Sequence, residues 1–279
     1  MDLFYKKGAI KMNRKNRVML EGYGCYGMSL SKQFNIVNVC AMERGWIVAQ
    51  AGVRGGGELG VQWHEQGKLE HKHNSFLDFI ACAEYLIANR ITHPNLIAAK
   101  GTSAGGTLVG HCALNLRPDL FKACILEVPF LDVLSTLLDP TLPLTVTDHL
   151  EFGNPIKDVN AYERIFSYSP YDNLTQKEFP AVYLQMSLQD PRVPDWGNLK
   201  FIEKLRDYSM EPTRMPDFGD NNIVVQINKK EIGHFGAVDN SKNLANLVNQ
   251  FAWLDFLMLN PNKEKNLIPE FDQPKKRRR

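Results

Sequence analysis

One short run, Gly101-Thr102-Ser103-Ala104-Gly105-Gly106, limits what this chain can fold into more than any other feature. The apolar stretch Asn95-Leu96-Ile97-Ala98-Ala99 precedes it, and the helix-like stretch Thr107-Leu108-Val109-Gly110-His111-Cys112-Ala113-Leu114 follows. Strand, sharp turn and helix in that order are the context in which G-x-S-x-G lifts a serine clear of a sheet. The glycines let the backbone reverse tightly and let strand and helix approach each other. A serine-capped glycine turn with no chemistry is the alternative reading of the pattern alone.

The rest of the chain repeats the same alternation. Strand candidates are Arg17–Glu21, Trp46–Ala51, Leu96–Lys100, Ala123–Val128, Ala181–Ser187 and Ile223–Ile227. Helix candidates are Ser29–Arg44, Phe76–Ala88, Thr107–Leu114, Trp196–Asp207 and Ser241–Leu259. In the last, Leu244, Leu247, Val248, Phe251 and Leu254 recur at helical spacing. Short apolar strands alternating with helices predict an α/β fold with a mostly parallel sheet covered on both faces. The interval Leu138 to Asn173 is rich in Pro, Asp, Asn and Tyr and predicts short helices and loops over the site. The expected organisation is an N-terminal extension over 1–15, one domain over 16–260 and a basic tail over 261–279.

Charge and cysteine content exclude several classes. A net charge of +2 gives no electrostatic case for nucleic acid or a membrane surface. Five cysteines, Cys25, Cys40, Cys82, Cys112 and Cys124, form no C-x-x-C pair, so neither zinc nor a disulfide framework is expected. His71 and His73 lack further ligands nearby, and no metal or other cofactor is expected. The first residues, Met1-Asp2-Leu3-Phe4-Tyr5-Lys6-Lys7, lack the apolar core of a signal peptide, and no apolar run reaches membrane-spanning length. A cytoplasmic location is the expectation. The tail Lys275-Lys276-Arg277-Arg278-Arg279 reads as a solvated extension, with a nuclear signal or an acidic-partner contact as the alternatives.

A serine needs an adjacent base, and the base needs a group to orient it. On an α/β-hydrolase sheet the chain order is Ser, Asp or Glu, then His. Three histidines follow Ser103. His111 lies more than two helical turns along the helix, and His149 sits in the irregular interval. His234, in Gly233-His234-Phe235-Gly236 after the last strand, is the candidate base. Asp190, after the strand Ala181–Ser187, is the candidate acid, with an Asx turn before Pro191 as its alternative role. Asp195 competes but falls where a helix starts and would serve as its N-cap. The Ala104 N–H is the expected oxyanion donor, and a tyrosine hydroxyl from Gly22-Tyr23-Gly24-Cys25-Tyr26-Gly27 would be the second.

That last segment also reads G-x-G-x-x-G through Gly22, Gly24 and Gly27, so a dinucleotide site is a second class of reading. NAD binding wants a carboxylate at the end of the next strand, where the sequence is Gln50-Ala51-Gly52-Val53-Arg54. No acid stands there, although Arg54 would suit the 2′-phosphate of NADP.

Taken together, these residues resemble the catalytic domain of the prolyl oligopeptidase family of serine hydrolases, from about Arg17 to Leu259. The resemblance rests on Gly22-Tyr23-Gly24, on Arg54-Gly55-Gly56-Gly57-Glu58-Leu59-Gly60 with Trp63-His64 and Gly67, and on Asn74, Phe76 and Asp78-Phe79. It extends through Arg117-Pro118-Asp119-Leu120-Phe121, Asp190 with Arg192, and Gly233-His234. It implies the α/β-hydrolase fold, the triad Ser103, Asp190 and His234, an oxyanion hole of Ala104 and Tyr23, and Arg192 as a substrate-binding arginine. The family pattern has Asn where this chain has Ala104. It also places a proline-stacking tryptophan where this chain has Thr145. The stretch through Asp148 and Glu151-Phe152-Gly153-Asn154-Pro155 is similar to oligopeptidase B, which implies Asp148 and Glu151 as substrate contacts and Leu150 in place of a second acid. Pro129-Phe130-Leu131-Asp132-Val133-Leu134 is similar to prolyl-endopeptidase-like proteins. The implied activity is cleavage of short peptides through an acyl-enzyme, with ester or thioester hydrolysis as the alternative. The implied partners are a short peptide or ester substrate and, if the chain is part of a longer protein, an upstream β-propeller domain; a hydrolase standing alone with an open site is the alternative.

Overall fold

The computed structural model describes residues 1–209, 223–229, 232–237 and 240–258. The basic tail, 261–279, lies outside the described residues. The strands are β1 (Asp2–Phe4), β2 (Arg17–Gly22), β3 (Trp46–Ala51), β4 (Ile97–Thr102), β5 (Ala123–Glu127), β6 (Ala181–Ser187), β7 (Ile223–Asn228), β8 (Ile232–Gly233) and β9 (Gly236–Ala237). The α-helices are α1 (Ile36–Glu43), α2 (Val61–Glu65), α3 (His73–Ala88), α4 (Ala104–Val109), α5 (Val133–Leu137), α6 (Thr145–Phe152), α7 (Val159–Tyr168), α8 (Asp195–Tyr208) and α9 (Asn240–Met258).

Seven strands form one sheet in the order β1-β3-β2-β4-β5-β6-β7, and β8 pairs with β9 in a small hairpin. All neighbours in the large sheet are parallel except β1 and β3. Residues before Arg17 therefore supply an edge strand, with Asp2 opposite Gln50 and Phe4 opposite Val48. The inner strands are near-continuous apolar runs because both sheet faces are covered. Alternation divides them between two cores. Val18, Leu20, Ile47, Ala49, Val182 and Leu184 pack with Phe76 and Phe79 of α3, Leu108 of α4 and Phe201 of α8. Met19, Val48, Ala98, Ile125 and Tyr183 pack with Trp253 and Leu254 of α9. Phe79 is wholly buried, and truncation to Ala would cost about 3–5 kcal/mol.

Strand order decides where a ligand can sit. The chain runs outward from β2 to β3, then β4 returns to the other side of β2. The connections leaving β2 and β4 thus diverge, opening a crevice at the carboxyl edge of the sheet, where open α/β sheets bind ligands.

Several local expectations are corrected. The first helix begins at Ile36 rather than Ser29. Asn35 caps it, its side chain accepting from Val37 N at 2.9 Å. The preceding residues are held elsewhere: Leu30 N donates to Glu58 at 3.0 Å, and the Ser31 carbonyl accepts from Gln50 at 3.2 Å. The helix after Ser103 begins three residues earlier than Thr107, and Gly110–Leu116 continues it as a π-helix. Asp195 is the first residue of α8 rather than its N-cap; Pro194 holds the cap position, with no side-chain capping bond. An acid in that first turn still complements the helix dipole.

Candidate active site

Ser103 sits at the turn from β4 into α4 with φ 56° and ψ −122°, a conformation that costs on the order of 1–3 kcal/mol for a non-glycine residue. Neighbouring backbone enforces it. Ser103 N donates to the Glu127 carbonyl at 2.9 Å, and the Ser103 carbonyl accepts from Phe130 N at 2.9 Å and Gly106 N at 2.8 Å. The flanking glycines are needed for closeness: a Cβ on Gly101 would lie 2.1 Å from the Gly105 carbonyl oxygen, and one on Gly105 would lie 2.6 Å from that of Gly22.

Three residues from three strand ends meet here. The Ser103 hydroxyl lies 2.9 Å from His234 Nε2, and His234 Nδ1 lies 2.7 Å from Asp190 Oδ2. His234 stands in the tight β8–β9 turn, and its side chain and that of Asp190 are almost fully covered. Asp190 Oδ1 accepts from Arg192 N at 2.8 Å and Val193 N at 3.0 Å. Burial alone would raise the Asp190 pKa. The His234 bond and the two backbone N–H groups outweigh it and hold the carboxyl below its usual range. The arrangement fits a neutral imidazole that donates to Asp190 through Nδ1 and accepts the serine proton at Nε2.

Ala104 opens α4, so its N–H belongs to the first turn of N–H groups that lack intrahelical partners. Tyr23, just past β2, lines the same cavity as Ser103, with its hydroxyl close enough to influence the serine. Burial pushes the Tyr23 pKa up to about 12, so the phenol stays protonated and can donate. Beside these groups lies a cavity of about 200 Å³ lined by Ser103, Ala104, Tyr23, Tyr26, Phe130 and Asp148, among others.

Asp148, on α6, accepts from the Tyr26 hydroxyl at 3.1 Å. Burial raises its pKa to about 6, against the Tyr26 bond, which lowers it. Arg192 also lines the cavity, exposed, with its guanidinium 4.6 Å from the ring centroid of Phe235.

Two expectations on the α6 side are corrected. Glu151 does not line the cleft. Its side chain is 4% exposed and turned inward, with one oxygen 2.8 Å from His64 Nε2 and the other 3.5 Å from Lys72 Nζ. Thr145 does not face a substrate either. It is wholly buried and donates to the Thr136 carbonyl at 2.8 Å, while the adjacent Leu144 lines the cavity. Thr145 is about 100° of helical turn from Leu144, whereas Glu151, nearly in phase with Leu144, is held inward by His64 and Lys72. Of the other histidines after Ser103, His111 is buried against Phe76, and His149 Nε2 lies 3.1 Å from the Leu137 carbonyl oxygen.

The dinucleotide reading fails at Arg54. Its guanidinium grips Asp78 through Nε at 2.8 Å and a terminal nitrogen at 2.7 Å. The Arg54-Gly55-Gly56-Gly57 stretch packs back-to-back on the glycine-rich loop, where a Cβ on Gly55 would lie 2.2 Å from the Gly24 carbonyl oxygen. Among the described residues no group of three His, Cys, Asp or Glu side chains is placed to hold a metal ion.

Sequence reasoning missed Tyr26, Phe130 and Phe235. Tyr26 stands in the segment already singled out for Tyr23, so its spacing was a usable signal. Phe235 adjoins the candidate base and was equally within view.

The family model described as the prolyl oligopeptidase family matches residues 32–259. This chain belongs to the prolyl oligopeptidase family. It is 37% identical over 254 residues to Protease 2 of Moraxella lacunata, covering 91% of this chain and 35% of that protein. It is 40% identical over 206 residues to the prolyl endopeptidase-like protein of Xenopus laevis, covering 74% of this chain and 29% of that protein. The solved oligopeptidase B from Leishmania major superposes with a TM-score of 0.84 at 40% identity, covering 92% of this chain and 34% of that one. The chain thus spans about a third of the length of the prolyl oligopeptidase family members it matches. Among its described residues no helix is long and apolar enough to cross a membrane.

Proposed function

We propose that this chain is the catalytic region of a serine peptidase that cleaves short peptides through an acyl-enzyme. The hydrogen-bonded series Ser103–His234–Asp190 at the mouth of a cavity carries the reading. Ser103 Oγ attacks the scissile carbonyl while His234 Nε2 takes its proton. Asp190 stabilises the imidazolium. The Ala104 N–H and the Tyr23 hydroxyl receive the negative charge on the carbonyl oxygen. His234 then gives its proton to the departing amine, and water repeats the sequence to free the enzyme.

Asp148 at the far wall favours a cationic side chain on the substrate, and Arg192 at the rim suits a peptide carbonyl. Glu151, buried and paired, is no longer a substrate contact in this reading. With Leu144 lining the cavity and Thr145 buried, preference for proline is weak. A β-propeller partner, implied by the family resemblance, fits the exposed Val146, Leu150 and Phe235 on elements flanking the cleft. Free thiols at Cys25, Cys40, Cys82, Cys112 and Cys124 support a cytoplasmic location.

The test is a matched panel of arginyl amides, esters and thioesters, with fluorophosphonate labelling of wild type and Ser103→Ala. Amide turnover and labelling, both abolished in Ser103→Ala, are expected. Ester or thioester cleavage without amide turnover, with or without a β-propeller domain supplied upstream, would replace peptidase by esterase. Labelling that persists in Ser103→Ala would reject the triad.

A further inference from the structure

Behind the cleft lies a buried charge that the proposed chemistry does not use. Lys72, just before α3, has a side chain only 2% exposed. Its ammonium donates to the Gly24 carbonyl at 2.8 Å and to Cys25 Sγ at 2.8 Å. It lies 3.5 Å from Glu151 Oε1 and 5.3 Å from the ring centroid of Phe152. Gly24 and Cys25 are the two residues between Tyr23 and Tyr26. Glu151 and Phe152 close the helix that carries Asp148. A single ammonium therefore ties the loop bearing the oxyanion phenol to the helix bearing the acid of the opposite wall.

Three further observations point away from simple glue. A buried ion pair is a poor way to gain stability, since apolar residues of similar volume often do as well or better. Tyr26 is held at φ 58°, a conformation that L side chains rarely adopt, so its loop needs an external restraint. Asp148 and Glu151 are three residues apart on α6, neighbours on one helix surface, so a shift of Glu151 carries Asp148 with it.

We propose that Lys72 and Glu151 are positioning residues that set the placement of the Asp148 carboxylate relative to the Tyr23 hydroxyl, and so the discrimination between cationic peptide substrates and small esters. The proposal rests on the serine hydrolase reading above. His64, on the second oxygen of Glu151, completes the support from the glycine-rich side.

The test compares wild type with Lys72→Met, Glu151→Gln and the double variant Lys72→Met/Glu151→Leu. Each is measured for thermal melting, fluorophosphonate labelling, and kcat and KM on an arginyl coumarylamide and on p-nitrophenyl acetate. Lys72→Met leaves Glu151 buried without its cation and should melt earlier; the apolar double variant should recover the melting temperature. The ratio of kcat/KM for the amide to that for the ester should fall about tenfold in both, mostly through the amide KM. A double variant that regains both stability and the wild-type ratio would overturn the proposal, because the pair would then be structural only. If the double variant does not fold, Glu151→Gln decides, since it keeps a partner for His64. A ratio unchanged in Glu151→Gln overturns the proposal, and a fall of severalfold supports it. Failure of wild type to label at Ser103 would instead strike the serine hydrolase reading.

Discussion

The two walls of the cleft are built in different ways. One is made of strand ends: Ser103 after β4, Asp190 after β6 and His234 beyond β7, joined by contacts of 2.7 and 2.9 Å. The other is one short helix, α6, from which Asp148 reaches the cavity while Thr145 and Glu151 turn inward. On the first wall Ser103 and Asp190 follow inner strands locked between parallel neighbours, and His234, in the antiparallel β8–β9 hairpin, is bonded to both. The second depends on helical phase and on an ion pair with Lys72. Chemistry should therefore be unforgiving on the first wall, and selectivity adjustable on the second.

The largest effect should come from Ser103→Ala, with kcat falling by about 10⁶-fold while the fold is kept. Turnover of the arginyl amide checks it, and substantial residual activity would break the distinction between the walls at its strongest point. Asp190→Asn should cost about 10⁴-fold in kcat by favouring the wrong tautomer of His234. A loss nearer tenfold would mean that another carboxylate substitutes. Tyr23→Phe should lower kcat by about 10²-fold with little change in KM, as loss of one oxyanion donor does elsewhere.

On the helical wall the expected changes are smaller and fall on KM. Asp148→Asn should raise KM for a cationic substrate by about tenfold and leave a neutral ester unaffected. Because burial lifts the Asp148 pKa to about 6, the wild-type carboxylate gains its charge as pH rises through that value. KM for the cationic amide should then fall across that window in wild type and stay flat in the Asn variant. A flat profile in both would remove Asp148 from substrate binding. The mildest test is Thr145→Val, which removes one of the two donors to the Thr136 carbonyl, leaving Asp139 N at 3.2 Å, and should cost about 1 kcal/mol of stability, read by denaturant titration. An altered KM in that variant would mean that position 145 reaches the cleft after all.

These walls also differ in how far they could be read in advance. Ser103, Asp190 and His234 were legible because each follows an apolar strand, and chain order admits few combinations. Tyr23 was legible from the glycines around it. The burial of Glu151 is not legible in the sequence because the partners that hold it inward, His64 and Lys72, lie 87 and 79 residues away. The helix before Arg44 is shorter than propensity predicts because Glu58 and Gln50 hold residues 30 and 31 elsewhere. Lys72 carried no local signal at all: a lysine before a helix is ordinarily solvated, and its partners lie 47 to 79 residues away.

By itself, the amino-acid sequence determined the alternation of strands and helices, the strained serine turn and the order of the triad, because these depend on local apolar period and on glycine. Tertiary structure alone decided that β4 crosses beside β2 and opens the crevice, that Asp148 and not Glu151 enters it, and that Arg54 is engaged by Asp78. Each of those outcomes depends on packing between segments distant in the chain, where burial and charge pairing select one arrangement that no local pattern distinguishes.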